Sequence, residues 1–416
     1  MNLIPGKKYL GINGLGRIGK LTLWYHLQED YFDGFVINVG RQVGNNLEDI
    51  IHLLETDSTY GSLEKFLFGI NANKDIKIVD RENNCLEIFG KRVKILCMAR
   101  NPKDICWKEN RVKIVVDTTG AFNDPTQSQD DVKGSLRGHL SAGAKKVINS
   151  APFKIKDKTK KNPGDCVTLI YGINHTSFNP GSDHIISAAS CTTTALAHMV
   201  KPLLEKEETS NILTASLSTI HAATNTQKVL DSVPVSGASD LRRNRMAFNN
   251  IILSTTGAAS TLEKVIPEIK RVGFMADSIR IPIDTVSLIN LNLTFHTCIG
   301  KNGKMTINRK FLNNIYRETA KGAQKGLLYF SDNQNVSSDL KGKKAAVVIE
   351  GHDTHTRTGC INLKPEMLGK MGLKNNSNIN IPVTHSALFG WYDNEFGSYV
   401  NCLGKLTCYI DHALSE

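Results

Sequence analysis

Nowhere does the chain carry an uninterrupted apolar run of roughly 18 residues, the length an α-helix needs to cross a bilayer, so a membrane-spanning protein is not expected. The opening Met-Asn-Leu-Ile-Pro-Gly-Lys-Lys holds no apolar core of the kind that marks a secretory leader. A cytoplasmic protein is the expectation. No two of the nine cysteines stand in C-x-x-C spacing, which argues against zinc ribbons and thioredoxin-like redox pairs. In a reducing compartment most of them should be buried thiols. No Pro/Ser-rich stretch reads as a linker between independent domains.

What is present is an ordinary globular composition, 40% hydrophobic and 22% charged, over 416 residues, enough for two domains at roughly 100–200 residues each. The formal charge is +11. Part of that excess lies in a run of five lysines and one aspartate between Lys154 and Lys161. No aromatic side chains are interleaved there for base stacking, so the run reads as a solvated loop and nucleic acid is not expected as a partner. A basic balance also suits a protein that gathers phosphorylated small molecules.

The strongest local signal opens the chain. Tyr9 to Asn13 is a short apolar run, Gly14-Leu-Gly16-Arg17-Ile18-Gly19 follows at once, and Leu21, Leu23, Trp24 and Leu27 then recur at helical spacing. Strand, G-x-G-x-x-G and helix in that order suit a dinucleotide. Gly14 permits the tight turn, Gly16 lets backbone approach a pyrophosphate, and Gly19 lets the helix pack closely on the strand. The helix N-terminus then offers N–H donors to the anion.

Further strands are expected at Phe35–Asn38, Val112–Val116 and Lys146–Asn149, alternating with helical stretches as in a parallel doubly wound sheet. The third leads into Asp117-Thr118-Thr119-Gly120. An NAD site usually places a carboxylate at the end of the second strand. Here the residues are Asn38-Val39-Gly40-Arg41. The acid is missing and an arginine stands near, which leaves NAD or NADP open. Arg41 could meet a 2′-phosphate, or Glu48 or Asp49 could fold back as a substitute acid.

A second signal lies near the middle. Ile185 to Ser187 reads as a strand, and Leu196, Val200, Leu203 and Leu204 mark a helix, so Cys191 falls at or near a helix N-terminus. The dipole there favours thiolate. The plainer reading is a buried structural cysteine beside capping hydroxyls. His221, thirty residues on at the end of a strand-like run, could pair with that thiol or be structural. His352-Asp353-Thr354-His355 follows an apolar strand, Ala345 to Ile349. It lacks third and fourth ligands nearby, so it reads as an exposed turn and no metal is expected.

Taken together these segments resemble the glyceraldehyde-3-phosphate dehydrogenase family. Asn13 to Gly19 is similar to its N-G-F-G-R-I-G opening, and Ser187-Ala-Ala-Ser-Cys-Thr-Thr193 to S-N-A-S-C-T-T. Thr219-Ile-His-Ala-Ala-Thr224 is similar to T-V-H-A-Y-T. Asp240 to Arg245 and Ser254 to Ala259 are similar to its S-loop and S-S-T-G-A-A segment. Arg280-Ile-Pro282 is similar to R-V-P, and Trp391 to Gly397 to W-Y-D-N-E-F-G.

The resemblance implies an α/β fold. A Rossmann-type parallel-sheet domain would occupy residues 1–190. An α+β catalytic domain with a mostly antiparallel sheet would occupy 191–390, and a C-terminal helix, 391–416, would return to the first domain. It implies phosphorylating oxidation of glyceraldehyde 3-phosphate, a step of glycolysis and gluconeogenesis, by a homotetramer.

It also implies roles. Cys191 would be the nucleophile and His221 its base. Ser190, Thr192, Thr256, Gly257 and Arg242 or Arg243 would hold inorganic phosphate. Thr224 and Arg280 would hold the substrate's C3 phosphate. Gly14, Gly16, Arg17, Ile18, Gly19, Thr119, Gly120 and Asn394 would meet the cofactor, Asn394 at the nicotinamide carboxamide.

The sequence departs from the family at Thr194, where Asn is usual, and at the missing acid. Extra residues near Val39–Asn46, Lys154–Cys166, Ile299–Asn308 and Cys360–Ile381 read as loop insertions. A sister enzyme acting on another phosphorylated aldehyde such as erythrose 4-phosphate is the nearest alternative. A non-enzymatic nucleic-acid-binding relative and a Cys-His hydrolase are the others; the hydrolase leaves the Gly-rich start unexplained.

Overall fold

The computed structural model describes residues 6–415 apart from residues 98, 226, 239, 301, 302, 304, 374 and 375. Residues 301, 302, 304, 374 and 375, inside two of the expected insertions, and residue 416 at the end of the expected final helix therefore lie outside the described residues. The chain forms two compact units, Met1–Cys191 with Glu395–Glu416, and Thr192–Asn394.

The first unit is built on a nine-stranded sheet. Its strands lie in the order Cys166–Thr168, Ile185–Ser187, Lys146–Asn149, Val112–Asp117, Tyr9–Asn13, Gly34–Asn38, Lys91–Leu96, Cys85–Ile88, Ile76–Asp80. The strands from Cys166–Thr168 through Lys91–Leu96 run parallel, and the last two pair antiparallel. Tyr9–Asn13 and Gly34–Asn38 are buried at every position. Central parallel strands are covered on both faces and therefore read as continuous apolar runs, which is why they stand out in the sequence. The antiparallel edge strand Ile76–Asp80 is only partly buried and gives no such signal. Chain order reverses about Tyr9–Asn13, between Gly34–Asn38 and Val112–Asp117, and this leaves a crevice at the strands' carboxyl ends.

Helix Arg17–Glu29 covers the sheet with Leu21, Leu23, Trp24 and Leu27 buried. Helix Asn401–Ala413 packs on it so closely that a β-carbon on Gly404 would lie 2.1 Å from the Tyr25 ring. The sequence suggests one helix from Asn394 onward. Instead a π-helical turn, Phe396–Val400, precedes it, with all five residues buried. Phe396 N–H donates to the Tyr60 hydroxyl at 3.2 Å, and its ring packs edge-on against Phe66.

The second unit carries a mainly antiparallel sheet in the order Ile252–Thr255, Gly273–Arg280, Ile212–His221, Ser287–His296, Ile379–Tyr392, Val347–Glu350, Leu328–Ser331. Ser287–His296 alternates buried and half-buried residues, as expected when one face is covered by helices. Helix Cys191–Leu204 lies on that face: a β-carbon on Gly390 would sit 2.5 Å from the Met199 sulfur. Helix Arg309–Lys321 adds a bond from the Tyr316 hydroxyl to the Met199 carbonyl at 2.8 Å. Ile212–His221 and Gly273–Arg280 are paired in parallel, which sets the final residues His221 and Arg280 side by side.

One expected insertion is not a loop. His355–Leu363 pairs antiparallel with Ile379–Tyr392 in register from His355↔Ala387 to Leu363↔Ile379, and a short helix, Pro365–Lys370, lies in the connection. The strand is mostly exposed. Backbone ladder bonds rather than an apolar face hold it, so hydrophobic periodicity does not reveal it. No helix among the described residues is long and apolar enough to cross a membrane.

Candidate active site

In the first unit the glycine turn has the geometry a dinucleotide needs. Gly14 has φ +97°, in the region that favours glycine, and its N–H donates to the Asn38 carbonyl at 2.8 Å. A β-carbon on Gly19 would come within 2.0 Å of the Gly14 carbonyl oxygen. On Gly16 it would meet nothing within 4 Å, so backbone here faces open space at the start of helix Arg17–Glu29. That fits an anion approaching a helix N-terminus. Ile18 is half-buried against the core. Arg17 turns its side chain away: the guanidinium pairs with Asp57 at 2.6 Å and with Glu395. Burial raises the Asp57 pKa, but Lys20 and Arg17 outweigh it and pull it down to about 2. Arg17 can therefore offer a cofactor its backbone N–H, while its side chain braces the loop.

Beneath the turn lies a buried polar network that sequence reasoning did not find. Asn38 Nδ2 donates to Asn13 Oδ1 at 2.8 Å and to the Ala99 carbonyl at 2.9 Å. Asn13 Nδ2 donates to Asp117 Oδ2 at 2.7 Å. Trp107 Nε1–H donates to His139 Nδ1 at 2.9 Å, so the His139 proton sits on Nε2 and goes to Asp117 Oδ2 at 3.0 Å. Asp117 Oδ1 in turn accepts from Thr119 N at 3.0 Å and Thr119 Oγ1 at 2.6 Å. Burial raises the Asp117 pKa, yet the bonds from His139, Thr119 and Asn13 hold it below the usual carboxylate value. Thr119 is thereby fixed beside the glycine turn, followed by Gly120 at φ +65°.

At the end of the second strand, Asn38 is 2% exposed and its Nδ2 is committed to this network, so burial keeps it from a ribose in this structure. Both possible substitute acids lie on the surface with partners of their own. Glu48 is held by Arg81 at 2.6 Å and 3.0 Å, and Asp49 Oδ2 accepts from Asn45 N at 2.6 Å. Arg41 is exposed and lines a cleft of about 790 Å³ together with Gly40, Arg100, Asn101 and Asp104. Arg100 was not singled out in the sequence. It comes from the loop after Lys91–Leu96, a strand paired with the second.

Cys191 is half-buried, and helix Cys191–Leu204 starts on it. Ala189, two residues earlier, has φ +55°, a conformation costly for a residue with a β-carbon. Ser187 Oγ accepts from Ala189 N at 3.2 Å, and the Tyr399 hydroxyl donates to the Ala189 carbonyl at 3.4 Å. These bonds hold the strained approach that delivers Ser190 and Cys191 to the helix start. Thr194 is buried in the first turn.

In the second unit, Thr192 Oγ1 and Thr219 Oγ1 lie 2.9 Å and 2.7 Å from the Tyr392 hydroxyl. Tyr392 also sets its ring edge-on to His221 at 6.1 Å. His221 is 4% exposed, with Arg280 Nη1 2.6 Å from its Nδ1. Burial and the Arg280 charge push its pKa down to about 3. Ser287 Oγ accepts from Ala222 N at 3.0 Å and donates to Asn394 Oδ1 at 3.2 Å, which orients the Asn394 amide. Thr224 N–H donates to Gln227 Oε1 at 3.1 Å.

Thr256 and Gly257 form the turn from strand Ile252–Thr255 into helix Ala258–Val265, where Thr256 Oγ1 accepts from Ala258 N at 3.2 Å. Of the two S-loop arginines, Arg242 is bound to Asp240 at 2.8 Å, whereas Arg243 makes no ion pair among the described residues. No group of three His, Cys, Asp or Glu side chains among the described residues is arranged to hold a metal.

Residues 8–125 match the family described as glyceraldehyde 3-phosphate dehydrogenase, NAD binding domain, and residues 190–363 match glyceraldehyde 3-phosphate dehydrogenase, C-terminal domain. The chain is 32% identical to a Streptomyces coelicolor glyceraldehyde-3-phosphate dehydrogenase over 410 residues, covering 97% of this chain and 99% of that one. It is 34% identical to glyceraldehyde-3-phosphate dehydrogenase 2 of Bacillus subtilis over 349 residues, 84% and 88% of the two chains. With the glyceraldehyde-3-phosphate dehydrogenase of Geobacillus stearothermophilus it shares 32% over 402 residues, 96% and 97%. The chain belongs to the glyceraldehyde-3-phosphate dehydrogenase family.

Its first unit thus contains the NAD-binding domain of that family, and a nicotinamide dinucleotide is its cofactor class. Beyond the motifs that define the resemblance, Ser287, Asp117, His139 and Trp107 support the site. Their partners lie far off in sequence, so no local pattern marks them. Tyr392 was legible as part of the W-Y-D-N segment but was not assigned a role.

Proposed function

We propose that the protein catalyses the reversible phosphorylating oxidation of glyceraldehyde 3-phosphate to 1,3-bisphosphoglycerate, using NAD or NADP. The observation that carries this reading is the placement of Cys191 as the first residue of a fourteen-residue helix, behind the left-handed Ala189, in a chain of this family. A helix N-terminus stabilises thiolate, and a thiolate can capture an aldehyde covalently.

In this mechanism the Cys191 thiolate adds to the aldehyde carbon to give a hemithioacetal. His221 accepts its hydroxyl proton as the carbonyl re-forms, leaving a thioester on Cys191. Bound oxidised nicotinamide supplies the two-electron acceptor. Inorganic phosphate, held by Ser190, Thr192, Thr256, Gly257 and Arg243 in preference to Arg242, then attacks the thioester carbon and releases the acyl phosphate and the free thiolate. Thr224 and Arg280 hold the C3 phosphate of the substrate. The dinucleotide is held by Gly14, Gly16, Gly19, the backbone of Arg17 and Ile18, Thr119, Gly120 and Asn394.

The reading extends to cofactor choice and assembly. With Asn38 buried and Arg41 and Arg100 lining one cleft, NADP serves at least as well as NAD. The domain division that fits this reading is residues 1–191 with 395–416 for the dinucleotide and 192–394 for catalysis, Trp391 and Tyr392 belonging to the second sheet and not to a terminal helix. Val229, Leu230, Val233, Val235, Ile251 and Met275 of the second unit are exposed apolar side chains, which suits burial between subunits of a cytoplasmic homotetramer. The test is a steady-state assay of nicotinamide reduction with glyceraldehyde 3-phosphate and with erythrose 4-phosphate. Turnover that needs phosphate and favours the first aldehyde supports the reading. A higher kcat/KM for the second reassigns the substrate, and no turnover with either removes the enzymatic reading.

A further inference from the structure

Arg17 divides its guanidinium between two carboxylates that come from distant parts of the chain. Nε donates to Glu395 Oε1 at 3.0 Å and Nη2 to Glu395 Oε2, while Nη1 donates to Asp57 Oδ2 at 2.6 Å. Asp57 is held in turn. Lys20 Nζ lies 2.7 Å from its Oδ2, and Oδ1 accepts from Thr59 N at 2.9 Å and Tyr60 N at 3.1 Å. The Tyr60 hydroxyl accepts from the N–H of Phe396, the residue after Glu395. The contacts therefore close on themselves, from Arg17 through Glu395, Phe396, Tyr60 and Asp57 back to Arg17. A planar fork can meet one carboxylate edge-on and still reach a second, whereas a lysine keeps the charge and loses the paired bonds.

Asn394 stands between two such anchored residues in the chain. Before it, Asp393 Oδ1 accepts from Thr285 Oγ1 at 2.7 Å and Oδ2 from Gly342 N at 2.7 Å. After it, Glu395 accepts the Arg17 fork. The Asn394 amide itself meets Ser287 Oγ at 3.2 Å and Thr285 Oγ1 at 3.3 Å. An amide aimed at a ligand is only as precise as the backbone that carries it. On its amino-terminal side that backbone is fixed through Asp393, and on its carboxyl-terminal side the fixing runs through Arg17.

We propose that Arg17 is a positioning residue for the nicotinamide: through Glu395 it fixes the backbone from which the Asn394 amide reaches the carboxamide. The inference rests on the reading of Asn394 as the residue that meets that carboxamide. It gives Arg17 two separable parts. The backbone N–H serves the pyrophosphate, and the side chain, committed to carboxylates, serves the nicotinamide end without touching it. Loss of the fork then loosens the hold on the nicotinamide and spares the hold on the ADP-ribose portion of the dinucleotide.

The experiment is binding calorimetry of the full-length protein with NAD against ADP-ribose, and with NADP against 2′-phospho-ADP-ribose. Each pair differs only in the nicotinamide. The parent is expected to bind the nicotinamide member more tightly. In Arg17→Lys and in Glu395→Gln that member should lose about ten-fold or more in affinity, the equivalent of one charge-assisted bond, while the member without nicotinamide stays nearly unchanged. The double variant should lose no more than the worse single one, because both substitutions break the same pair. Thermal unfolding shows that each variant is folded, and should Arg17→Lys fold poorly, Glu395→Gln carries the comparison. A preference for the nicotinamide member that survives both substitutions, or an equal loss with both members, overturns the positioning role alone. No such preference in the parent overturns the reading of Asn394 and the inference with it.

Discussion

Gly19 lies so close to Gly14 that a β-carbon on the first would stand 2.0 Å from the carbonyl oxygen of the second. The obstacle is backbone, which cannot rotate aside. Gly19→Ala should therefore displace helix Arg17–Glu29 from the strand it follows, at a cost of about 1–3 kcal/mol or more. Gly16→Ala meets no such obstacle, since its β-carbon would enter open space. The two variants should separate fold from binding. Gly19→Ala is expected to lower the thermal midpoint and weaken dinucleotide binding. Gly16→Ala should keep the midpoint and weaken binding alone. Fluorescence titration with NAD beside thermal unfolding reads both, and an unaltered midpoint in Gly19→Ala would contradict the packing argument.

Acid stability should carry the signature of His26. This imidazole is fully buried, and burial pushes its pKa from 6.5 down to about 3. Rings of Tyr25, Phe32 and Phe35 pack around it. The unfolded chain takes up the proton near pH 6.5, the folded chain only near pH 3. The stability this group contributes is thus complete above pH 6.5 and is lost as pH falls from there toward 3. One such group gives a slope of up to about 1.4 kcal/mol per pH unit. His221, shifted in the same sense, adds to it. His26→Phe should flatten the fall in urea midpoint between pH 6.5 and 4. An identical pH slope in the variant would show that His26 is not the group responsible.

Cofactor choice turns on the cleft lined by Arg41 and Arg100. A charge-assisted bond to a 2′-phosphate contributes about 1.5–3 kcal/mol, so removing either arginine should lower kcat/KM for NADP by roughly ten-fold or more and leave that for NAD nearly unchanged. The measurement is kcat/KM with both cofactors in the parent, Arg41→Ala and Arg100→Ala. A strong NAD preference indifferent to both substitutions rejects NADP use.

Much of the frame was legible because its signals are local. Tyr9–Asn13 and Lys146–Asn149 are uniformly buried parallel strands and show as apolar runs. The helix beginning at Cys191 shows by its spacing and hydroxyls. What escaped depends on distant partners or on backbone alone. Asp117 meets Asn13 across 104 residues and His139 meets Trp107 across 32, pairings no periodicity encodes. The strand His355–Leu363 is held by ladder bonds without an apolar face. The π-helical turn at Phe396–Val400 breaks the helical period because Arg17, Tyr60 and Phe66 fix residues before and within it. Arg242 and Arg243 look alike in sequence and differ only in that Asp240 has claimed the first.

The central claim is a thioester on Cys191 that phosphate resolves, and a single-turnover trace tests it most directly. Enzyme is mixed with glyceraldehyde 3-phosphate and the preferred dinucleotide without phosphate, nicotinamide absorbance is followed by stopped flow, and the quenched protein is examined by peptide mass spectrometry. Oxygen is far less nucleophilic than thiolate at neutral pH, so Cys191→Ser should bind dinucleotide and show no burst. In the parent, the account predicts a burst of one reduced nicotinamide per site, an acyl adduct on the peptide bearing Cys191, and steady turnover on adding phosphate. Phosphate-independent turnover without an adduct at Cys191, or a burst that survives Cys191→Ser, would contradict it.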